Sequence, residues 1–546
     1  QGAALWNLEV VPAAPKAFNR YGGGGSCGRA AMLVCALSAS LAPALAAADT
    51  AVPVPSSGQL RMMQGSGLSQ FMHFSVNPFM SPGDPAYDTQ HNCVNGSDST
   101  CIPASVFAPS NLSTDQWAEA AVAMGADEIC LTAHHEGGFA LWDTKYSNYS
   151  VMHSPYGRDV VAQFVASCKK HGLRPCYYFP PNANGWFVTH DYSPEEFLDA
   201  QAGMLTELLT NYGNDYVSRL WWDHYGEDGA VGYEGYASGG CWKPGTPKLG
   251  PNPVLCPYGA FPAAWPRFIE LVRKLSPSTI ICPGPDCDSL YQHSGLAGTY
   301  PYWYPCRATK LLVNGTNVTM GCRSKNHVES DDASLSFGAL THSASMHHGW
   351  FCNGPCEDDP EKPSHFWNAS QIWQRYMATV GSGRVATLNA PPGTTGQIPQ
   401  DLVRPMTQFG AALRRLLRPV TPSAEATGQS APSCNDTVVA ELDLGGAVEF
   451  NMVMSREDLS QGQRVTSYAI DYFSAGAWRT FGRGDFSGGG AREGVHGMSV
   501  GSRVVDFVPA TTARKLRFRC VGAMATPVRL AGFSAHSGAG PDGAGI

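Results

Sequence analysis

Short apolar runs that stop abruptly at a polar or aromatic group recur along this chain, and between them apolar positions return every three to four residues. The run Ser218-Arg219-Leu220-Trp221-Trp222-Asp223 ends in a carboxylate, and Glu128-Ile129-Cys130-Leu131-Thr132-Ala133 ends in His134-His135-Glu136-Gly137-Gly138-Phe139. Phe71-Met72-His73-Phe74-Ser75-Val76 carries a histidine, and Arg174-Pro175-Cys176-Tyr177-Tyr178-Phe179 brings tyrosines into a Pro-Pro-Asn turn. Apolar residues at successive positions mark strands covered on both faces, as in parallel sheets. The helical period appears over 114–124, 159–170, 194–210, 264–275 and 401–417, and further strands are expected at 279–282 and 384–389. Strand and helix in alternation predict a (β/α)8-like barrel of the TIM type, whose catalytic groups sit at the C-terminal ends of its strands. Any one of these strand-end residues alone would read as a helix cap or a satisfied core histidine; their convergence points to a site.

The pattern changes after residue 418. Residues 419–434, rich in Pro, Ser, Ala and Thr, read as a linker. Beyond them, short alternating segments at 438–442, 464–472, 504–508 and 515–521 predict an antiparallel β-sandwich over 435–540. The barrel is expected over 60–418. A chain of 546 residues suits this division, being too long for one ordinary core.

Composition narrows the chemistry. Charged residues make up 15% of the chain and the formal net charge is −8, with no basic cluster suited to nucleic acid. Residues 1–48 hold a signal-peptide-like segment, Arg29 preceding the apolar stretch 31–37 and then the small-x-small run Ala44-Leu45-Ala46, too short to span a bilayer. The sequons at Asn95, Asn111, Asn148, Asn314, Asn317, Asn368 and Asn435 and the 17 cysteines fit an oxidising destination along the secretory pathway, extracellular, cell-wall, lysosomal or vacuolar. Close spacing suggests local pairs Cys93–Cys101, Cys241–Cys256, Cys306–Cys322 and Cys352–Cys356, and a bridge Cys434–Cys520 within the sandwich. Zinc-type ligand spacing is lacking, so neither metal nor cofactor is expected.

The run from Leu131 to Trp142, taken with Phe71-Met72-His73-Phe74, Asp115-Gln116-Trp117-Ala118, Arg158-Asp159-Val160 and Trp221-Trp222-Asp223, closely resembles glycoside hydrolase family 29, the α-L-fucosidases. Gly284-Pro285-Asp286 resembles a motif of the branch selective for α-1,3/1,4-linked fucose, and the C-terminal segment resembles the galactose-binding-like domain of plant-type members. The resemblance spans roughly 60–535. It implies a retaining exo-glycosidase that removes terminal α-L-fucose from fucosylated glycans by double displacement, with Asp223 as nucleophile and a second carboxyl as acid/base. His73, His134, His135, Trp142, Tyr178 and Trp221 would then bind the sugar. At the glutamate position of the branch motif this chain has His293. Glu329, in His327-Val328-Glu329-Ser330-Asp331-Asp332, is the favoured acid/base, with Glu227 or Asp228 as further carboxylates. A protein that keeps the fucose pocket without proton donation is the alternative of another class.

Overall fold

The computed structural model describes residues 56–80, 101–181, 183–190, 192–222, 264–281, 286, 309–313, 316–320, 351–352, 366–382, 385–482, 500–523, 525–540, 543 and 545–546. Six parallel strands form the first sheet: β1 Leu68–Met72, β2 Glu128–Thr132, β3 Arg174–Tyr178, β4 Arg219–Trp221, β5 Ile280–Ile281 and β8 Ala386–Asn389, in the order β5-β4-β3-β2-β1-β8. The first strand in sequence thus pairs with the last of these, from Leu68 opposite Ala386 to Phe71 opposite Asn389, as a (β/α) barrel requires. A separate antiparallel hairpin consists of β6 Thr309–Val313 and β7 Thr316–Met320.

Local chemistry sets the helices between the strands. Helix α2, Thr114–Met124, starts where the Ser113 side chain accepts from Gln116 N and stops at Gly125 in the left-handed region (φ 98°). Asp159 caps α3, Val160–His171, whose last turn holds Lys169, Lys170 and His171, cations favoured beside the carbonyl end. Ser193 and Glu196 form a capping box on α5, Pro194–Asn211, with proline in the first turn. These starts and stops agree with the expected helices to within a residue or two.

Alternation along the strands divides outer from inner face. Met72, Ile129, Leu131, Tyr177 and Leu220 face the helices and join one large core with Phe164, Leu205 and Trp117. The inner positions stack in layers. At the N-terminal end, the buried Arg219 guanidinium donates to Glu128 Oε1 (2.5 Å), Ser69 Oγ (3.2 Å) and Thr387 Oγ1 (3.2 Å), while Ser218 Oγ donates to Glu128 Oε2 (2.6 Å). Burial alone would raise the Glu128 pKa; the Arg219 charge and the Ser218 hydroxyl outweigh it, and the net shift is downward. Above lies a cluster of Phe71, Cys130, Cys176, Tyr178 and Trp221. Cys130 and Cys176 are register partners on β2 and β3 and form a disulfide.

The second sheet has the order β12-β11-β13-β10-β14-β9. Its two long strands, β10 Thr437–Glu457 and β13 Val504–Ala523, run through both halves of the domain, with register shifts between Asp443 and Val448 and between Phe450 and Met452. One end carries β11 Val465–Ser474 and β12 Ala477–Thr480; the other carries β14 Val528–His536 and β9 Glu425–Ala431. Both ends contribute to one core, from Tyr468 and Ile470 to Val528 and Phe533. Such bulges let long strands bend around a core. The expected bridge Cys434–Cys520 is present.

Three sequence expectations change. The stretch expected as a linker, 419–434, contains β9, an edge strand whose exposed, small polar side chains imitate a linker. The strands expected at 504–508 and 515–521 are one strand, because Pro509, Thr511 and Thr512 interrupt the apolar pattern without breaking the extended backbone. His73 follows β1 instead of lying within it. Met452, Val505 and Phe507 of the second sheet join the barrel core. Arg503 donates to the Ser66 carbonyl (3.0 Å), the Gly65 carbonyl (3.3 Å) and Tyr376 Oη (2.7 Å). Among the described residues no helix is long and apolar enough to cross a membrane.

Candidate active site

The C-terminal ends of β1, β2, β3 and β8 deliver one group of rings. His73 leaves β1, His135 follows β2, Tyr178 closes β3 and Asn389 closes β8. His135 stacks on Tyr178 with centroids 4.8 Å apart and planes 1° from parallel. His73 lies 5.7 Å from His135 and 5.9 Å from Tyr178, and Phe351 presents an edge to both imidazoles at 5.4 and 5.1 Å. Phe71 underlies the group, 4.2 Å from His73 and 5.2 Å from Trp221. The Trp221 indole in turn has the Arg219 guanidinium 5.2 Å from its centroid.

Hydrogen bonds fix the imidazole tautomers. Asn389 Oδ1 can only accept, so His73 Nδ1 donates to it (2.8 Å), leaving Nε2 as the acceptor nitrogen. His134 Nδ1 donates to the His135 carbonyl (2.9 Å), and its Nε2 is buried without a hydrogen-bond partner among the described residues. The ring of His134 abuts Phe179 at 4.5 Å and Trp142 at 6.3 Å. Burial, then the neighbouring His135, drives the His73 pKa well below the usual imidazole range, against the Asn389 hydrogen bond. Burial lowers that of His134 to about 4. Both shifts favour the neutral ring, which suits hydroxyl groups because it offers them a lone pair without a charge to desolvate. Among the described residues, no cluster of three or more His, Cys, Asp or Glu side chains could hold a metal ion.

Close backbone approach holds the loop after β2. Gly138 sits at φ 89°, and a Cβ there would lie 2.1 Å from Asn184 Oδ1, so the Glu136-Gly137-Gly138 run owes its second glycine to this contact. Gly185 N donates to the Glu136 carbonyl (2.7 Å) and Trp186 N to the Gly137 carbonyl (3.2 Å), which docks the short helix α4, Gly185–Thr189, onto the loop.

Of the residues singled out in sequence, His73, His135, Tyr178 and Trp221 come together, with His134 beside them. Trp142 stands one layer out: it is buried, and its indole N–H is donated to Glu207 Oε2 (3.0 Å), so it backs His134. Asp223, Glu227, Asp228, His293 and Glu329 lie outside the described residues, as do Cys93, Cys241, Cys256, Cys306, Cys322 and Cys356. Sequence reasoning missed Asn389 and Phe351. Asn389 ends an expected strand and could have been noticed as a polar strand end; Phe351 carries no such signal.

Comparison with known proteins gives a consistent picture. The family described as alpha-L-fucosidase matches residues 86–280. A rice protein with the provisional name α-L-fucosidase 1 is 27% identical over 87% of this chain and 84% of its own length. Alpha-L-fucosidase 1 of Arabidopsis thaliana is 25% identical over 85% and 84%. Among solved structures, a glycoside hydrolase family 29 member from a rumen bacterium shares the fold with TM-score 0.58 at 21% identity, covering 89% of this chain and 78% of that one. A Ruminococcus gnavus family 29 fucosidase in complex with fucose does so with TM-score 0.54 at 18% identity, covering 90% and 96%. The matched segment, the relatives that span most of the chain and the shared fold make this protein similar to the α-L-fucosidases of glycoside hydrolase family 29.

Proposed function

We propose that this protein removes terminal α-L-fucose from fucosylated glycans or oligosaccharides. The observation that carries the reading is the group of His73, His135 and Tyr178, joined by the buried Nε2 of His134, which has no partner among the described residues, at the C-terminal end of a (β/α) barrel. Its acceptor nitrogens suit sugar hydroxyls, and its aromatic walls suit an apolar methyl group and ring C–H bonds. Arg219 and Trp221 take successive inward positions on β4, and Asp223 follows two residues later in the sequence. In the double displacement that the family resemblance implies, the Asp223 carboxylate attacks the anomeric carbon and the glycosidic oxygen leaves with a proton from the acid. Water then attacks the fucosyl ester, and the same residue takes the proton back. Glu329 is the proposed acid/base, with His293 as the alternative; a carboxylic acid suits an oxocarbenium-like transition state better than an imidazolium, which would add a second positive charge. The bridges Cys130–Cys176 and Cys434–Cys520 support an oxidising, secretory-pathway location.

The test is fucose release from an activated aryl α-L-fucoside and from an α-1,3/1,4-fucosylated oligosaccharide by wild type, Asp223→Asn and Glu329→Gln. The proposal expects both substrates to be cleaved and Asp223→Asn to abolish cleavage. Glu329→Gln should spare the aryl substrate, whose leaving group needs little protonation, relative to the oligosaccharide. No release of fucose by wild type from either substrate would overturn the hydrolase reading in favour of fucose binding alone.

A further inference from the structure

The rim of the barrel carries three aromatic rings that the fucose cup does not use. Tyr149, from the loop after β2, is buried, and its hydroxyl donates to the Ile102 carbonyl (2.7 Å). Trp186, on α4, stacks on it with centroids 4.8 Å apart and planes 12° from parallel. His190, which follows α4, also stacks on Trp186, at 3.6 Å and 28°. The ladder thus runs from the core outward and ends in an exposed imidazole.

The imidazole is also held in one orientation. The Trp186 carbonyl can only accept, and His190 Nδ1 donates to it (2.9 Å) alongside His190 N (3.1 Å). Nε2 is therefore the nitrogen left to accept. The ladder is tied to the fucose cup through the backbone, since Trp186 N bonds the carbonyl of Gly137, two residues beyond His135. Both the loop after β2 and α4 follow C-terminal strand ends, so the ladder and the cup share one end of the barrel.

We propose that the Tyr149-Trp186-His190 ladder is a binding subsite for the sugar ring to which the fucose is attached, His190 being the contact surface. The inference rests on the fucose-cleaving reading and gives it a substrate class: oligosaccharides, not simple alkyl fucosides. A pyranose ring brings axial C–H bonds, which suit the electron-rich face of an aromatic ring, and hydroxyl donors, which suit the His190 Nε2 lone pair. A buried group of imidazole and tyrosine rings with an exposed aromatic step at the same end of the barrel fits an exo-enzyme, in which the terminal sugar is enclosed and the rest of the glycan is not.

Calorimetric titration of the Asp223→Asn protein, in which the ligand is not consumed, tests this with methyl α-L-fucoside and an α-1,3/1,4-fucosylated oligosaccharide. The oligosaccharide should bind about tenfold more tightly than the methyl fucoside, the combined effect of one ring contact and one hydrogen bond. The second substitution His190→Ala should remove that advantage and leave the methyl fucoside Kd unchanged. Replacement by phenylalanine, His190→Phe, should restore the part due to stacking. Equal affinity for the two ligands in the Asp223→Asn background, or an advantage that survives His190→Ala, would overturn the subsite. Loss of binding of both ligands, together with no hydrolysis of α-L-fucosyl fluoride by wild type, would instead mark failure of the fucose reading itself.

Discussion

Burial holds the pKa of His73 well below the usual imidazole range and lowers that of His134 to about 4. In the unfolded chain each would protonate near pH 6.5. Between that pH and the lowered folded value the unfolded state binds more protons, so stability is present above about pH 6.5 and is lost as the pH falls toward 4, by up to about 1.4 kcal/mol per unit and per histidine. Glu457 acts in the opposite direction. Burial raises its pKa to about 8 against the hydrogen bonds from Val465 N and Arg464 N, so its contribution is full below about pH 4.5 and is lost as the pH rises through 8. Chemical denaturation from pH 4 to 9 should show both flanks; His134→Gln should flatten the acid one and Glu457→Gln the alkaline one. Asn389 is a separate case, for it sets the His73 tautomer. Asn389→Leu should leave Nδ1–H without its acceptor and weaken methyl α-L-fucoside binding about tenfold, as a lost buried hydrogen bond of 1–2 kcal/mol would. Asn389→Asp should keep the Nδ1 proton and raise the His73 pKa, visible in its imidazole NMR titration.

Elements whose ends are decided locally were legible in the sequence. Ser113 and Gly125 bracket α2 by their own hydrogen bonding and backbone conformation, and the 114–124 period found it to the residue. Strand ends depend on partners distant in sequence, so β4 and β8 proved shorter than their apolar runs and β1 starts three residues before its run and stops at Met72. The site was legible as far as strand ends announce it, hence His134, His135 and Tyr178; the contact of Asn389 with His73 depends on barrel closure. Cys130 and Cys176 were hidden for a related reason: within apolar strands a cysteine reads as one more small hydrophobe, and only the parallel register brings the two together. Arg219 at the head of β4 reads as a surface charge, yet it is buried against Glu128. Breaking such a pair on one side strands the other charge in the interior, and Glu128→Gln should cost about 3 kcal/mol or more. The measurement is the urea midpoint at pH 7, with Glu128→Gln/Arg219→Met expected to recover part of the loss.

At the scale of the whole molecule, barrel and sandwich share a continuous apolar contact rather than a tether. Met452, Val505 and Phe507 pack into the barrel core, Trp373 donates to the Gly540 carbonyl (3.0 Å), and Arg503 reaches three oxygens of the barrel side. A protein ending at residue 418 should therefore expose an apolar face and aggregate; comparing its soluble yield with that of the full chain checks this. The pairing of β1 with β8 has a consequence in time. His73 and Asn389 are separated by 316 residues. At about 5–20 residues per second, a ribosome needs roughly 15 seconds to a minute to travel that far. Throughout that interval one side of β1 has no neighbour, and an apolar strand leading to the first histidine of the cup is open to pairing with other nascent chains. The sugar pocket is complete only when its earliest and latest residues meet, so the protein's dependence on chaperones during synthesis should be concentrated on the segment around Leu68–Met72.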